Sequence, residues 1–274
     1  MIEGSSSSIP VGVAGRVDAR LASIRRRGHI LLALARGDLR VRYGRGVWQL
    51  VKWLIDPFAL VGVYMLLRTV IFNRPGEAVG LTVACTVVPF QLVLLSFSSA
   101  LSAIGVREPI VLNMRFDRML IPPAAVLTES LAFAASFLLF PLMMIVYGVA
   151  PTPALLWLPL VVASTLLLAF GAAYPAALIG IWFENFKLFA TQLLRILYFA
   201  SPGLVALAEV SPGVRRWIVF NPLTGLFEAF RHVFLYGTAP TWWQLVYPAG
   251  VGVVLAVVFI PVYRREQRQF AKLL

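Results

Sequence analysis

Residues 154–182, ALLWLPLVVASTLLLAFGAAYPAALIGIW, are longer and more apolar than the roughly 20-residue helix that crosses the hydrocarbon core of a bilayer. The rest of the chain has the same character, since 60% of its 274 residues are hydrophobic and only 13% are charged. Too few polar residues remain to cover a water-soluble globule of this length. The sequence therefore predicts an all-α, polytopic membrane protein.

Five further apolar stretches are separated from this one by short polar or basic breaks. The six predicted transmembrane helices lie near residues 53–72, 79–104, 124–148, 154–182, 186–208 and 243–263. The fifth contains Ser201-Pro202-Gly203, which breaks a regular helix. That stretch is therefore either a simple crossing or a re-entrant pair of half-helices, and an odd number of crossings stays open.

Three regions follow from this pattern. Residues 1–15 are small and polar and lack the features of a signal peptide, so we expect a disordered tail. Residues 16–50 form a basic amphipathic region, and residues 51–274 form a single six-helix transmembrane domain.

Basic residues are distributed unevenly among the predicted loops. With the N-terminus inside, the cytoplasmic side holds most of the 24 lysine and arginine residues. The outer side holds only Arg68, Arg74, Arg215, Arg216 and Arg231. This bias predicts that both termini are cytoplasmic. It also explains the net charge of +12, so we expect no nucleic-acid partner.

Two amphipathic segments are predicted on the cytoplasmic side. The first, within residues 16–50, combines the run Arg25-Arg26-Arg27 with an apolar helical face and suits a helix lying on anionic membrane lipids. A helix packed on a partner subunit would have the same pattern. The second, residues 105–123 (GVREPIVLNMRFDRMLIPP), is too polar to cross the bilayer. It is either a connecting helix or a docking element.

A third amphipathic segment, NPLTGLFEAFRHVFL at residues 221–235, precedes the last predicted span. Asn221 is predicted to cap a helix that begins with Pro222, because proline at the first helical position sacrifices no hydrogen bond. Glu228 and Arg231 lie three residues apart on one face of that helix. We expect a short interfacial or re-entrant helix on the outer side, with an ordinary loop helix as the alternative.

Side chains suited to chemistry are few. Asp56, Glu129, Glu184 and Arg195 lie near the predicted inner ends of spans, where they can snorkel to the interface, although an ion-coupling role is the alternative. The single cysteine, Cys85, lies inside an apolar run. Motifs for zinc, serine hydrolases and Walker A loops are absent from the sequence. We therefore expect no enzyme activity and no catalytic, metal-binding or cofactor-binding residue in this chain.

Several motifs resemble, in their order and spacing, the membrane subunit of ABC exporters for O-antigen, capsule and teichoic-acid polysaccharides. Residues 31–57 contain LARGDLRVRY followed by Asp56-Pro57, and residues 182–202 read WFENFKLFATQLLRILYFASP. Segments 112–122, 221–231 (NPLTGLFEAFR) and 263–274 (YRREQRQFAKLL) also resemble that family. The resemblance covers residues 30–274.

The resemblance implies a homodimer of six-span subunits in the bacterial inner membrane. Each copy would bind a separate ATPase subunit that holds ATP and Mg, and a lipid-linked glycan would pass along the dimer interface. Residues implied to couple this chain to the ATPase are Arg107, Glu108, Arg115, Asp117, Arg118, Arg36, Asp38, Arg42 and Tyr43. Residues implied to gate the path are Tyr198, Ser201, Pro202, Asn221, Pro222, Glu228 and Arg231.

A polysaccharide path needs aromatic faces and hydrogen-bonding groups rather than fixed charges. The further candidates of this kind are Tyr64, Phe90, Gln91, Phe97, Tyr174 and Phe189. Two other functions stay open: an ABC permease of the same architecture that carries a drug or a lipid, and a secondary transporter that works without ATP.

Overall fold

The computed structural model describes residues 13–43, 47–71, 73, 78–113, 117–203 and 206–270. Their side chains are described except at 13–21, 23, 24, 42, 43, 47–54, 109, 110 and 113. Every regular element within these ranges is helical, which confirms the predicted all-α class. Residues 1–12 of the predicted tail lie outside the described part, whereas residues 13–15 already belong to the first helix.

Eleven α-helices follow one another in the described part of the chain. They are α1 (Val13–Tyr43), α2 (Val47–Leu66), α3 (Val79–Val106), α4 (Glu108–Asn113), α5 (Ile121–Ser136), α6 (Leu139–Tyr147), α7 (Leu158–Trp182), α8 (Lys187–Phe199), α9 (Pro212–Ile218), α10 (Pro222–Phe234) and α11 (Trp242–Glu266). A π-helical turn, Leu67–Ile71, continues α2. Short 3₁₀ turns lie at Arg118–Leu120, Pro153–Trp157, Glu184–Phe186 and Leu207–Glu209.

Four helical stretches among the described residues are long and apolar enough to cross a membrane. They are Val79–Val106, Arg118–Tyr147, Pro153–Trp182 and Trp242–Glu266. Their bounds agree closely with the predicted spans 79–104, 124–148, 154–182 and 243–263. The other two predicted spans, 53–72 and 186–208, fall on α2 and α8 and are not among the four.

The fifth predicted span does not form one continuous helix. Its helix, α8, has 13 residues and is about 20 Å long at 1.5 Å per residue, short of the roughly 30 Å hydrocarbon core. The chain then passes through Ser201-Pro202-Gly203, the turn Leu207–Glu209 and α9 before α10 begins. A simple crossing over 186–208 is therefore wrong, and the break at Ser201-Pro202-Gly203 ends the helix as predicted.

The centre of the bundle is a close stack of α3, α7 and α11. A Cβ atom added at Gly180 of α7 would lie 1.8 Å from the carbonyl oxygen of Leu101 on α3. A Cβ atom at Gly171 would lie 2.0 Å from the carbonyl oxygen of Gly252 on α11. Glycine is thus required at both positions, because the helix backbones touch. This stack is the frame against which α2, α5 and α10 pack.

Candidate functional site

Buried polar side chains collect at two places along α3. Thr86 lies in the third turn of α3 and Arg107 follows its last residue, so the two places are about 30 Å apart at 1.5 Å per residue. We call them the Arg231 cluster and the Arg107 cluster. The Arg231 cluster consists of Thr86, Tyr198, Ser201, Pro202, Gly203, Glu228 and Arg231. The Arg107 cluster consists of Asp38, Ser99, Arg107, Thr128 and Glu129.

Arg231 on α10 is completely buried. One terminal nitrogen of its guanidinium lies 2.6 Å from the Glu228 carboxylate, and the other donates to the Pro202 carbonyl oxygen at 2.8 Å. Glu228 in turn accepts a hydrogen bond from the backbone N–H of Leu207 at 3.0 Å. A buried charge is tolerated only when it is paired and hydrogen-bonded in this way. The pair therefore holds the chain between α8 and α10.

Tyr198, near the end of α8, packs against the start of the chain between α8 and α10. Its ring packs on Phe90 with centroids 4.5 Å apart and stacks on Tyr64 at 5.6 Å. Its hydroxyl lies 3.3 Å from that of Thr86, which donates to the carbonyl oxygen of Gly203 at 2.7 Å. A Cβ atom at Gly203 would be 2.8 Å from the Tyr198 ring, so glycine lets the chain fold back across the aromatic face.

The start of α10 forms as predicted. The Asn221 carboxamide oxygen accepts a hydrogen bond from the Leu223 N–H at 3.0 Å, and Pro222 occupies the first helical position. The Asn221 side-chain nitrogen also donates to the Leu197 carbonyl oxygen on α8 at 2.7 Å. Every residue from 223 to 231 is buried, so the helix is not exposed at the surface of the protomer, and its re-entrant position on the outer side stays a prediction. The helix packs inside the bundle, where the ring of Phe140 on α6 stacks on Phe230 and Phe234.

The other predicted path residues separate into buried and accessible groups. Phe90, Tyr174 and Tyr198 are buried inside the protomer. Tyr64, Gln91 and Phe97 are half-buried, and Phe189 on α8 is exposed beside Phe186. Ser201 is buried and donates its hydroxyl proton to the Tyr198 carbonyl oxygen at 2.6 Å. The structure therefore brings Phe90, Tyr198 and Ser201 together, and it leaves Phe189 and Tyr174 apart from them.

The Arg107 cluster links three helices. Arg107 donates to the Ala103 carbonyl oxygen in the last turn of α3 at 2.9 Å and forms an ion pair with Asp38 of α1. The Asp38 carboxylate also lies 3.4 Å from the Thr128 hydroxyl of α5. A cation is favourable at this position because a helix C-terminus carries partial negative charge.

A cavity of about 820 Å³ opens beside the Arg107 cluster, between α1, α2, α3 and α5. Its polar lining residues are Asp38, Asp56, Ser98, Ser99, Ser102, Arg107, Thr128 and Glu129. Glu129 is buried and accepts a hydrogen bond from Ser99 at 2.6 Å. Snorkelling of Glu129 to an interface is therefore wrong, whereas Asp56 is exposed as that interpretation requires.

The predicted docking residues differ in where their side chains point. Asp117 forms an ion pair with Arg27 at 3.3 Å. Arg118 donates to the carbonyl oxygens of Gln267 at 2.7 Å and Val111 at 3.0 Å. Arg107 is also buried. The side chains of Arg107, Asp117 and Arg118 therefore contact other parts of this chain, although they were predicted to contact the ATPase. Glu108 and Arg36 are exposed. Arg115 and the side chains of Arg42 and Tyr43 lie outside the described residues.

Three residues that contact the Arg231 cluster or the chain beside it were missed by the sequence interpretation. They are Arg68, Thr86 and Glu209. Thr86 and Gly203 are 117 positions apart, and Arg68 and Glu209 are 141 apart. A signal was available for Arg68, because an arginine inside an apolar stretch needs a partner. Its partner could not be identified from a single sequence. Across the described ranges, no group of three or more histidine, cysteine or acidic residues could hold a metal ion.

Comparison with known proteins gives a consistent result. No protein-family model matches the chain. Among curated proteins, an O-antigen export system permease protein RfbA of Myxococcus xanthus is 25% identical over 246 residues, which are 89% of this chain and 94% of that protein. Two proteins of the same name from Klebsiella pneumoniae are 23% and 21% identical over 248 residues, again 89% of this chain and 95% of each relative. The resemblance of this chain to the permease subunit of polysaccharide ABC exporters is therefore confirmed along almost its whole length.

Proposed function

We propose that this chain is the transmembrane permease subunit of an ATP-driven ABC exporter for a lipid-linked polysaccharide. The substrate is an O-antigen or a related cell-envelope glycan, which crosses the bacterial inner membrane. The observation that carries this proposal is the similarity to O-antigen export permeases over 89% of the chain and 94–95% of the relatives. Apolar helices of membrane-spanning length support it.

The proposed path runs between two copies of the chain. Support comes from α8, whose described residues are mostly exposed in the single protomer. Gln192 and Arg195 are exposed on this helix next to the exposed rings of Phe189 and Phe199. Polar and charged side chains at membrane depth usually face a partner or water rather than lipid. Aromatic faces interleaved with polar groups suit a sugar chain, and we assign this face of α8 to the path.

Energy enters through separate subunits in this proposal. The sequence has no Walker A loop, so ATP and Mg²⁺ are bound by two partner ATPase subunits. Segment 105–123 transmits the conformational change of the ATPase subunits to the membrane helices. The N-terminus and the C-terminus of the chain lie on the same, cytoplasmic side of the membrane. Its accessible side chains include Glu108 and Leu112, and Arg36 of α1 is accessible as well. These residues replace Arg107 and Arg118 as the proposed direct contacts with the ATPase.

The proposal is tested by reconstitution. The chain is co-expressed with a candidate ATPase subunit that carries a Walker A motif, and ATP-dependent movement of a radiolabelled lipid-linked glycan is measured in inverted membrane vesicles. We expect transport that requires both subunits and is lost when the Walker A lysine of the ATPase is replaced. Transport that continues without ATP would indicate a secondary transporter. ATP-dependent transport of a drug or a phospholipid, but not of the glycan, would indicate the other ABC permease.

The docking surface is tested separately with Glu108→Lys. Because Glu108 is exposed and begins α4, we expect normal folding but weaker co-purification with the ATPase and reduced coupling of ATP hydrolysis to export. Glu184→Lys, at another exposed acidic position, serves as the control and should leave both unchanged. Charge reversal at Arg118 is less informative, since it would also break the hydrogen bonds to Val111 and Gln267. Unchanged co-purification of Glu108→Lys would contradict the docking assignment.

A further inference from the structure

The connection between α8 and α10 is attached to the bundle by contacts of two kinds. We call residues 200–203 and 206–211 the connecting segment. Three of its attachments are buried: Thr86 to the Gly203 carbonyl, Arg231 to the Pro202 carbonyl, and the Leu207 N–H to Glu228. These attach the segment to α3 and α10, the central part of the fold. Since their polar groups are shielded from water, they hold it in one arrangement.

A fourth attachment joins the connecting segment to α2. The guanidinium of Arg68 lies 3.4 Å from the carboxylate of Glu209, and the same carboxylate oxygen is 3.4 Å from the Ala206 N–H. The Arg68 side chain is only 7% exposed, whereas the Glu209 side chain is 37% exposed. Glu209 can therefore exchange its contact with Arg68 for water, which the groups of the buried attachments cannot do.

Arg68 lies where a movement of α2 would reach the connecting segment. Arg68 belongs to the π-helical turn Leu67–Ile71 at the end of α2, a type of turn that occurs frequently at functional positions. In that turn Val70 and Ile71 are exposed, while Arg68 points inward to the connecting segment. A movement of α2 against α3 would therefore act directly on Glu209.

We propose that the Arg68–Glu209 ion pair positions the connecting segment and links its conformation to that of α2. The proposal rests on the proposed function together with the gating role that the resemblance implies for Ser201 and Pro202 of this segment. The buried attachments keep the segment folded, and the ion pair determines how tightly it is held against α2. Arg68 and Glu209 are positioning residues and need not touch the substrate.

The test measures how accessible the connecting segment is. Cys85, the single cysteine in the sequence, is replaced by alanine, and a reporter cysteine is introduced at buried Ala206. The purified full chain in detergent is then labelled with a maleimide. We expect Glu209→Gln to increase the labelling rate about fivefold, the change that corresponds to about 1 kcal/mol at 1.4 kcal/mol per tenfold. The charge-exchanged double variant, Arg68→Glu with Glu209→Arg, should return the rate towards that of the parent.

A matched control uses the Glu184–Lys187 pair, which has the same 3.4 Å separation but an 86% exposed carboxylate. Glu184→Gln should not change the labelling rate. Equal rates for the parent and Glu209→Gln would overturn the proposal. If Glu209→Gln does not fold, failure of the charge exchange to restore both folding and slow labelling would overturn it as well.

The labelling result is independent of the export assay. If the labelling rates respond as expected but no ATP-dependent glycan export is found, the proposed function fails and the positioning role stands. If export is found but labelling does not respond, the positioning role fails and the proposed function stands.

Discussion

The two arginine–carboxylate pairs near α3 have the same chemistry but different surroundings. Arg231 and Glu228 are both buried, and the arginine also binds the Pro202 carbonyl. Arg107 is buried as well, but the side chain of its partner Asp38 is 26% exposed and borders the 820 Å³ cavity. The access of water to the carboxylate therefore distinguishes the pairs. It indicates that the Arg231 cluster is a fixed part of the fold, whereas the Arg107 cluster can rearrange.

The largest expected effect comes from Arg231→Met. Removing the guanidinium leaves the Glu228 carboxylate buried without its counter-charge, which should lower the free energy of unfolding by about 3–5 kcal/mol. Thermal unfolding of the purified chain in detergent measures the loss. Glu228→Gln combined with Arg231→Met should recover much of it, because no buried charge then remains. A single variant as stable as the parent would show that the Arg231 cluster is hydrated after all.

The matching substitution in the Arg107 cluster, Arg107→Met, should lower the free energy of unfolding by less. Asp38 can bind water when its partner is removed, so we expect a loss of about 1–2 kcal/mol. Raising the ionic strength should weaken the parent pair and narrow the difference between parent and variant. Unfolding curves at low and high salt provide the measurement. A loss equal to that of Arg231→Met would remove the distinction between the two clusters.

The smallest expected effects come from replacing one threonine of each cluster with valine. Thr86→Val removes the hydroxyl that lies 2.7 Å from the Gly203 carbonyl oxygen and 2.9 Å from the Val83 carbonyl oxygen of its own helix. Because the bond to Gly203 joins two distant segments, we expect a loss of about 1–2 kcal/mol. Thr128→Val should have an effect of about 0.5 kcal/mol or less, because that hydroxyl bonds mainly to the Ala124 carbonyl of its own helix at 2.8 Å. Both variants have nearly the same shape as threonine, so packing is conserved. The reverse order of effects would contradict the conclusion that the Arg231 cluster is the fixed part of the fold.

Parts of the candidate site could be predicted from local sequence, and parts could not. The cap at Asn221 and the helix break at Ser201-Pro202-Gly203 formed as expected, since each depends on the conformations of a few neighbouring residues. The burial of α10 inside the protomer could not be predicted, because amphipathicity records polar and apolar faces but not whether the polar face meets water or a buried partner. Glu228 and Arg231 face each other and the Pro202 carbonyl instead of an interface.

The helical membrane class and the bounds of four membrane-spanning stretches could be predicted from the amino-acid sequence alone. Those properties depend on hydrophobic length, which is a sum over neighbouring residues. The pairing of the charges, the short length of α8 before the connecting segment, and the contact of Arg68 with Glu209 across 141 positions depend on tertiary packing. The physical reason is that inside a bilayer-spanning bundle polar groups must find partners, and the packing of distant helices determines which partners are within reach.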